Sequence, residues 1–133
     1  MNGAELWVKW KLLGSTVADL AELLDLNPRT LTRWMQRDEP VPQDVADRVE
    51  RHVNRHLDLV TDIRERFVDD WDAAEPVRLL LLNRQEDVPD WAEAGTSPED
   101  WNNAVVAVYR DALDRDSLDT SDFEFDWHRH ADT

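Results

Sequence analysis

The chain contains no cysteine, which removes disulfides, thiolate nucleophiles and cysteine-ligated zinc together. It has only three glycines, and none belongs to a loop of the kind that cradles phosphates. No apolar run approaches the ~20 residues that a bilayer-spanning helix needs. The opening MNGAELWVKW lacks the basic start and apolar stretch of a secretory signal. A soluble cytoplasmic protein with no membrane partner is the expectation. Serine, histidine and aspartate occur without the surroundings that activate a nucleophile, so neither an enzyme nor a cofactor is expected.

Basic residues are the other scarcity. The 133 residues carry 30 acids against 15 bases, a net charge of −15. A body so acidic repels nucleic acid as a whole. The imbalance is uneven, however. Residues 1–66 hold ten bases and twelve acids, a net of −2, and residues 67–133 hold five and eighteen, a net of −13. The first half can meet DNA where the second cannot. Screening at physiological salt acts over ~8 Å, so a distant acidic region repels only weakly. The length suits one ordinary domain or two very small ones, and 41% hydrophobic residues are enough to bury a core.

Helical periodicity fills the first seventy residues. Leu6, Trp10 and Leu13 form one inward stripe, closed by Gly14. Ser15 or Thr16 caps a second helix, with Val17, Leu20, Ala21 and Leu24 inward and Asp19 placed for a capping box. Asn27-Pro28 opens a third, with Asn as cap and Pro where its missing N–H costs nothing. Leu31 and Trp34 face its core, and it should end near Arg37. A longer helix begins at Pro42 and runs to about residue 70, with Val45, Val49, Val53, Leu57, Val60, Ile63 and Phe67 as its stripe. The later half of that stripe must be covered by the rest of the chain or by a second copy, and a second copy is the favoured reading.

Residues 77–82 (VRLLLL) read first as a strand, with helix as the competitor. Residues 83–95 read as loop, plugged by Trp91. Ser97-Pro98-Glu99-Asp100 starts a helix, with Trp101, Ala104, Val105, Val108, Ala112 and Leu113 on its apolar side. From residue 116 an acidic tail follows, with Phe123, Phe125 and Trp127 embedded. The expected fold is mainly α: an N-terminal helix-turn-helix bundle with a long connecting helix (1–68), a small α(+β) C-terminal dimerisation region (69–115), and the tail (116–133).

Residues 17–36 carry the sharpest signal. Two short helices joined by a tight turn need a small residue at their approach, here Ala21, and apolar residues at Leu20, Leu24, Leu26, Leu31 and Trp34. That pattern resembles the Cro/CI-type (XRE) helix-turn-helix regulators over residues 3–66. One departure is Asp25, where such motifs usually place Gly; Asp tolerates positive φ better than most residues. The resemblance implies that the third helix reads the major groove. Arg29 and Arg33 can donate a fork to guanine, Gln36 can pair with adenine, and the methyls of Thr30 and Thr32 can touch thymine. Ser15, Thr16, Asn27 and Arg37 complete the expected DNA-binding set, with Lys9 and Lys11 as further charges. No acid lies between Pro28 and Arg37.

The segments VRLLLLN and WNNAVVAVY also make the chain similar to the compact autorepressors associated with anti-CRISPR operons. That resemblance implies dimerisation by the C-terminal half, here through Val60, Ile63, Phe67, Leu80, Leu82, Trp101, Val105 and Val108. It further implies an inverted-repeat operator in double-stranded DNA, in a prokaryotic cell or phage-infected host. The rival class is an acidic interaction module: a DNA mimic, a host-protein binder or an antitoxin, with the helix-turn-helix as scaffold. His52 and His56 stand at a zinc-binding spacing, but solvated histidines are the simpler reading, as is a flexible tail for Asp126, His128 and His130. No metal is expected.

Overall fold

A computed structural model describes residues 1–115 and 117–129. The chain divides into two compact units, residues 1–54 and 55–133. The division falls inside a long helix, not at its end near residue 68.

The first unit holds α1 (Gly3–Leu13), α2 (Val17–Leu24), α3 (Pro28–Arg37) and the first half of α4 (Gln43–Phe67). Each start and stop has a local cause. The side chains of Asn2, Thr16 and Asn27 accept from the backbone N–H of Glu5, Asp19 and Arg29, so each fills an orphan donor of the first turn. Thr16, not Ser15, is therefore the cap of α2. Gly14 ends α1 in the left-handed region. Asp25 does the same for α2 at φ 56°, and Asp38 for α3 at φ 53°. The core joins Leu6, Leu20, Leu24, Leu31 and Trp34 to Val45, Val49 and Val53.

The second unit has the later half of α4, strand β1 (Val77–Leu81), α5 (Pro98–Arg115) and strand β2 (Phe123–Trp127). The two strands pair in parallel, Val77 opposite Phe123 through Leu81 opposite Trp127. A parallel pair needs a long crossover, and α5 lies within it. Ser97 and Asp100 exchange hydrogen bonds across the start of α5, a complete capping box. Trp101 Nε1 donates to Leu80 O, and the Asn102 amide both accepts from Leu82 N and donates to Leu82 O. These side chains satisfy backbone groups of β1 and its exit. Tyr109 of α5 meets Phe123 and Phe125 edge-on, with ring centroids 4.9 Å apart in both cases.

Several expectations change here. The acidic tail supplies β2, because Phe123, Phe125 and Trp127 alternate with acids at the period of a strand. The stripe of α4 continues beyond Val53 through His56, Leu59 and Ile63, while Leu57 and Phe67 stay exposed. Leu59 and Ile63 of that later half are covered by this chain's own Val77, Leu79, Val105 and Val108. Of the residues expected at a dimer interface, Ile63, Leu82, Trp101, Val105 and Val108 are buried in this core and offer no surface. Val60 is half-buried, and Phe67 and Leu80 are exposed. His56 is buried, not solvated.

Candidate functional site

The site begins with how α3 is held. Leu31 and Trp34 anchor one side of the helix in the core of the first unit. At its start, Asn27 caps the first turn and Pro28 presets the backbone. At its end, Gly3 of α1 comes so close that a Cβ there would lie 1.8 Å from Trp34 O. Asp38, just past α3, accepts from Ala4 N at 3.0 Å, which places a carboxylate at the positive end of α1. The three-residue link from α2 to α3 is secured from α4. Arg48 donates Nη1 to Leu24 O at 2.8 Å and Nη2 to Leu23 O at 3.0 Å, capping the last carbonyls of α2 with a charged fork.

So fixed, α3 turns its polar side outward. Arg29, Arg33, Gln36 and Arg37 are exposed, and with Pro28 and half-buried Thr32 they line one shallow concavity of about 330 Å³. The fold thus brings together five of the nine residues expected to bind DNA. Thr30 is half-buried and does not line this surface. Thr32 donates its hydroxyl to Pro28 O at 3.0 Å, which leaves its methyl and lone pairs as the groups to offer. Thr16 and Asn27 use an acceptor oxygen each as caps and keep their own donors. Ser15 is half-buried beside the start of α2.

The charges around this face are locally arranged. Arg33 Nε donates to Glu39 Oε2 at 3.2 Å, an ion pair that orients the guanidinium through one of its five N–H groups. The two expected lysines do not join the face. Lys9 pairs with Glu50 of α4 and lies 4.0 Å from Glu5. Lys11 sits over the Trp10 ring, 4.3 Å from its centroid. Glu39, Asp38 and Arg48 were missed from the sequence. The first two carry a legible sign, an acidic pair between a helix end and a proline. The third carries none, since its partners lie on another helix.

No protein-family model matches the chain, and no curated protein matches it. Elsewhere, burial pushes the His56 imidazole below the ordinary histidine value of 6.5, and the nearby Asp100 charge opposes that shift. Among the described residues no three His, Asp or Glu side chains gather as a metal ion would need. His130 lies outside the described residues. No helix among them is long and apolar enough to cross a membrane.

Proposed function

We propose that this protein is a sequence-specific double-stranded DNA-binding regulator of transcription. In this reading α2, the turn at Asp25 and α3 act as a helix-turn-helix of the Cro/CI type, and α3 enters the major groove. The observation that carries it is the outward face of α3: Arg29, Arg33, Gln36 and Arg37 on one side, with no acid in the helix. Arginine forks read guanine and glutamine reads adenine. The exposed Thr16 hydroxyl at the positive end of α2 suits a phosphate. A homodimeric (auto)repressor on an inverted repeat is the simplest mechanism, with two reader helices ~34 Å apart blocking polymerase.

The test is selection of bound sequences from random duplex DNA, followed by salt titration. A palindrome should emerge, and log affinity should fall with log salt with a slope near −0.9 per phosphate contact. Arg33→Ala should cost about 1–3 kcal/mol on the selected site and relax one position of it. Binding untouched by both Arg29→Ala and Arg33→Ala would remove α3 as the reader.

A second reading has one observation of its own. Strand β2 is an edge strand with Phe125 and Trp127 about half exposed and alternating with Glu124 and Asp126. Such an edge can accept a strand from a basic protein. Copurification of a basic partner that leaves DNA binding intact would make the chain an antitoxin-like regulator.

A further inference from the structure

The outer side of α1 has no use in the scheme above, and it is unusually apolar. Gly3, Leu6 and Leu13 are buried on its inner side. Yet Trp7 is 48% exposed, Val8 60% and Leu12 46%, with Ala4 exposed beside them. A single exposed apolar residue is ordinary, but three large ones within two turns of an 11-residue helix form a patch. A helix apolar on both sides is normally covered on both. DNA is a poor occupant, because Lys11 is the single charge within the patch.

We propose that this face recognises itself: two copies of the chain pair through α1, antiparallel, about a two-fold axis at Val8. The order of residues supports this occupant. Reversing the helix about Val8 sets the small Ala4 of each copy against the large Leu12 of the other, and Val8 against Val8. Trp7 and Lys11 share one flank, where Lys11 already lies 5.4 Å from its own Trp7 ring. Antiparallel pairing brings the second copy's Trp7 toward the same ammonium. Glu5 lies on the other flank, where Lys9 is already held by Glu50 of α4. Parallel pairing would instead set the Trp7–Lys11 flank against the second copy's Glu5–Lys9 flank, with Lys11 nearest to Lys9. An isologous interface of this kind is the commonest in soluble oligomers.

The patch is small. An α-helix rises 1.5 Å per residue, so α1 is roughly 16 Å long, and two such faces bury less than the ~1,600 Å² of a standard interface. The dimer is therefore weak when alone, with a micromolar Kd. It deepens the homodimer part of the proposed function, but the pairing does not depend on α3 reading DNA.

The absence of cysteine makes the test clean. In the full chain, Val8→Cys should link into a disulfide dimer under mild oxidation at about 100 µM, a concentration suited to a micromolar Kd. A mixture of Ala4→Cys and Leu12→Cys chains should cross-link with each other more than either does with itself. Val8→Asp, at an exposed position, should raise the dimer Kd by about tenfold or more with an unchanged helical spectrum. Preferential Ala4→Cys self-linkage would overturn the antiparallel order. A dimer seen by light scattering whose cysteine variants do not link would overturn the α1 face while sparing the homodimer. A monomer at that concentration with no linkage would overturn both, and the arginine variants would still judge the DNA reading separately.

Discussion

Replacing Gly3 with alanine should destabilise the first unit, although helix propensity alone says the opposite. Ala is favoured over Gly inside a helix by about 1 kcal/mol. Gly3 is not at positive φ, so the substitution adds no backbone strain. What decides the sign is contact. A Cβ at Gly3 would lie 1.8 Å from Trp34 O, 2.7 Å from Trp34 C and 2.9 Å from Asp38 Cα. All three are backbone atoms, so no flexible side chain can move aside. The start of α1 must retreat by more than an ångström from the end of α3. That retreat stretches the bond from Ala4 N to Asp38 and loosens Leu6 from the core. Overpacking costs about 1–3 kcal/mol and a weakened charge-assisted bond adds to it. Set against the propensity gain, the net loss should be about 2 kcal/mol, or about 10 °C in the melting of a unit this small. Hydrogen exchange of α1 and α3 amides measures it, with the β1 amides as an internal control. Protection equal to or above that of the parent chain would refute the close approach of α1 to α3.

Arg48→Ala should cost about 2 kcal/mol in urea unfolding, since it strips a charged fork from two α2 carbonyls, and Arg48→Lys should restore less than half of that. His56 gives a pH signature: its folded pKa lies below its unfolded value of 6.5. Stability should be level above the unfolded value and fall as pH drops through it, because the unfolded chain takes up a proton that the folded chain resists; it should level off again below the folded pKa. Urea titrations between about pH 7.5 and 5.5 (above the carboxylate range) would read this slope, which His56→Leu should abolish. Glu39→Gln should tighten binding to random DNA by about two- to fivefold, the scale of an exposed ion pair, while the preference for the selected site falls. An unchanged preference would mean that Glu39 does not orient Arg33.

The parts of the fold that were legible in the sequence are those whose causes are local. Asn27-Pro28, Ser97-Pro98, Gly14 and the apolar run of β1 each act on their own backbone, so their signals lie within a few residues of their effects. The end of α4 was misphased because two apolar ladders diverge after Val53. Leu57, Val60 and Phe67 are the more hydrophobic ladder, but the buried one runs through His56 and Leu59, and a histidine does not read as core. Strand β2 was missed for another reason. Its partner β1 lies a whole helix earlier in the chain, so no hairpin turn announces the pairing. At the candidate site the outward residues of α3 followed from periodicity. Arg48 and the fate of Lys9 did not, because both depend on which carbonyl or carboxylate another helix brings near.

The charge of the chain bears on how a reader of this kind would work. Residues 1–54 carry seven bases and nine acids, a net of −2, and residues 55–133 carry the remaining −13. Three of those seven bases are the α3 arginines, and Arg48 and Lys9 are committed to holding the unit together. The two acids nearest the end of α3 are also occupied: Asp38 caps α1 and Glu39 pairs with Arg33. Few cations are left to grip phosphates, and phosphate contacts supply nearly all non-specific affinity. If α3 reads DNA as proposed, binding must then draw an unusual share of its free energy from base edges. An acidic reader of this design trades affinity for discrimination, so loss of Arg29 or Arg33 should remove a larger fraction of its total binding than the same loss would from a basic one.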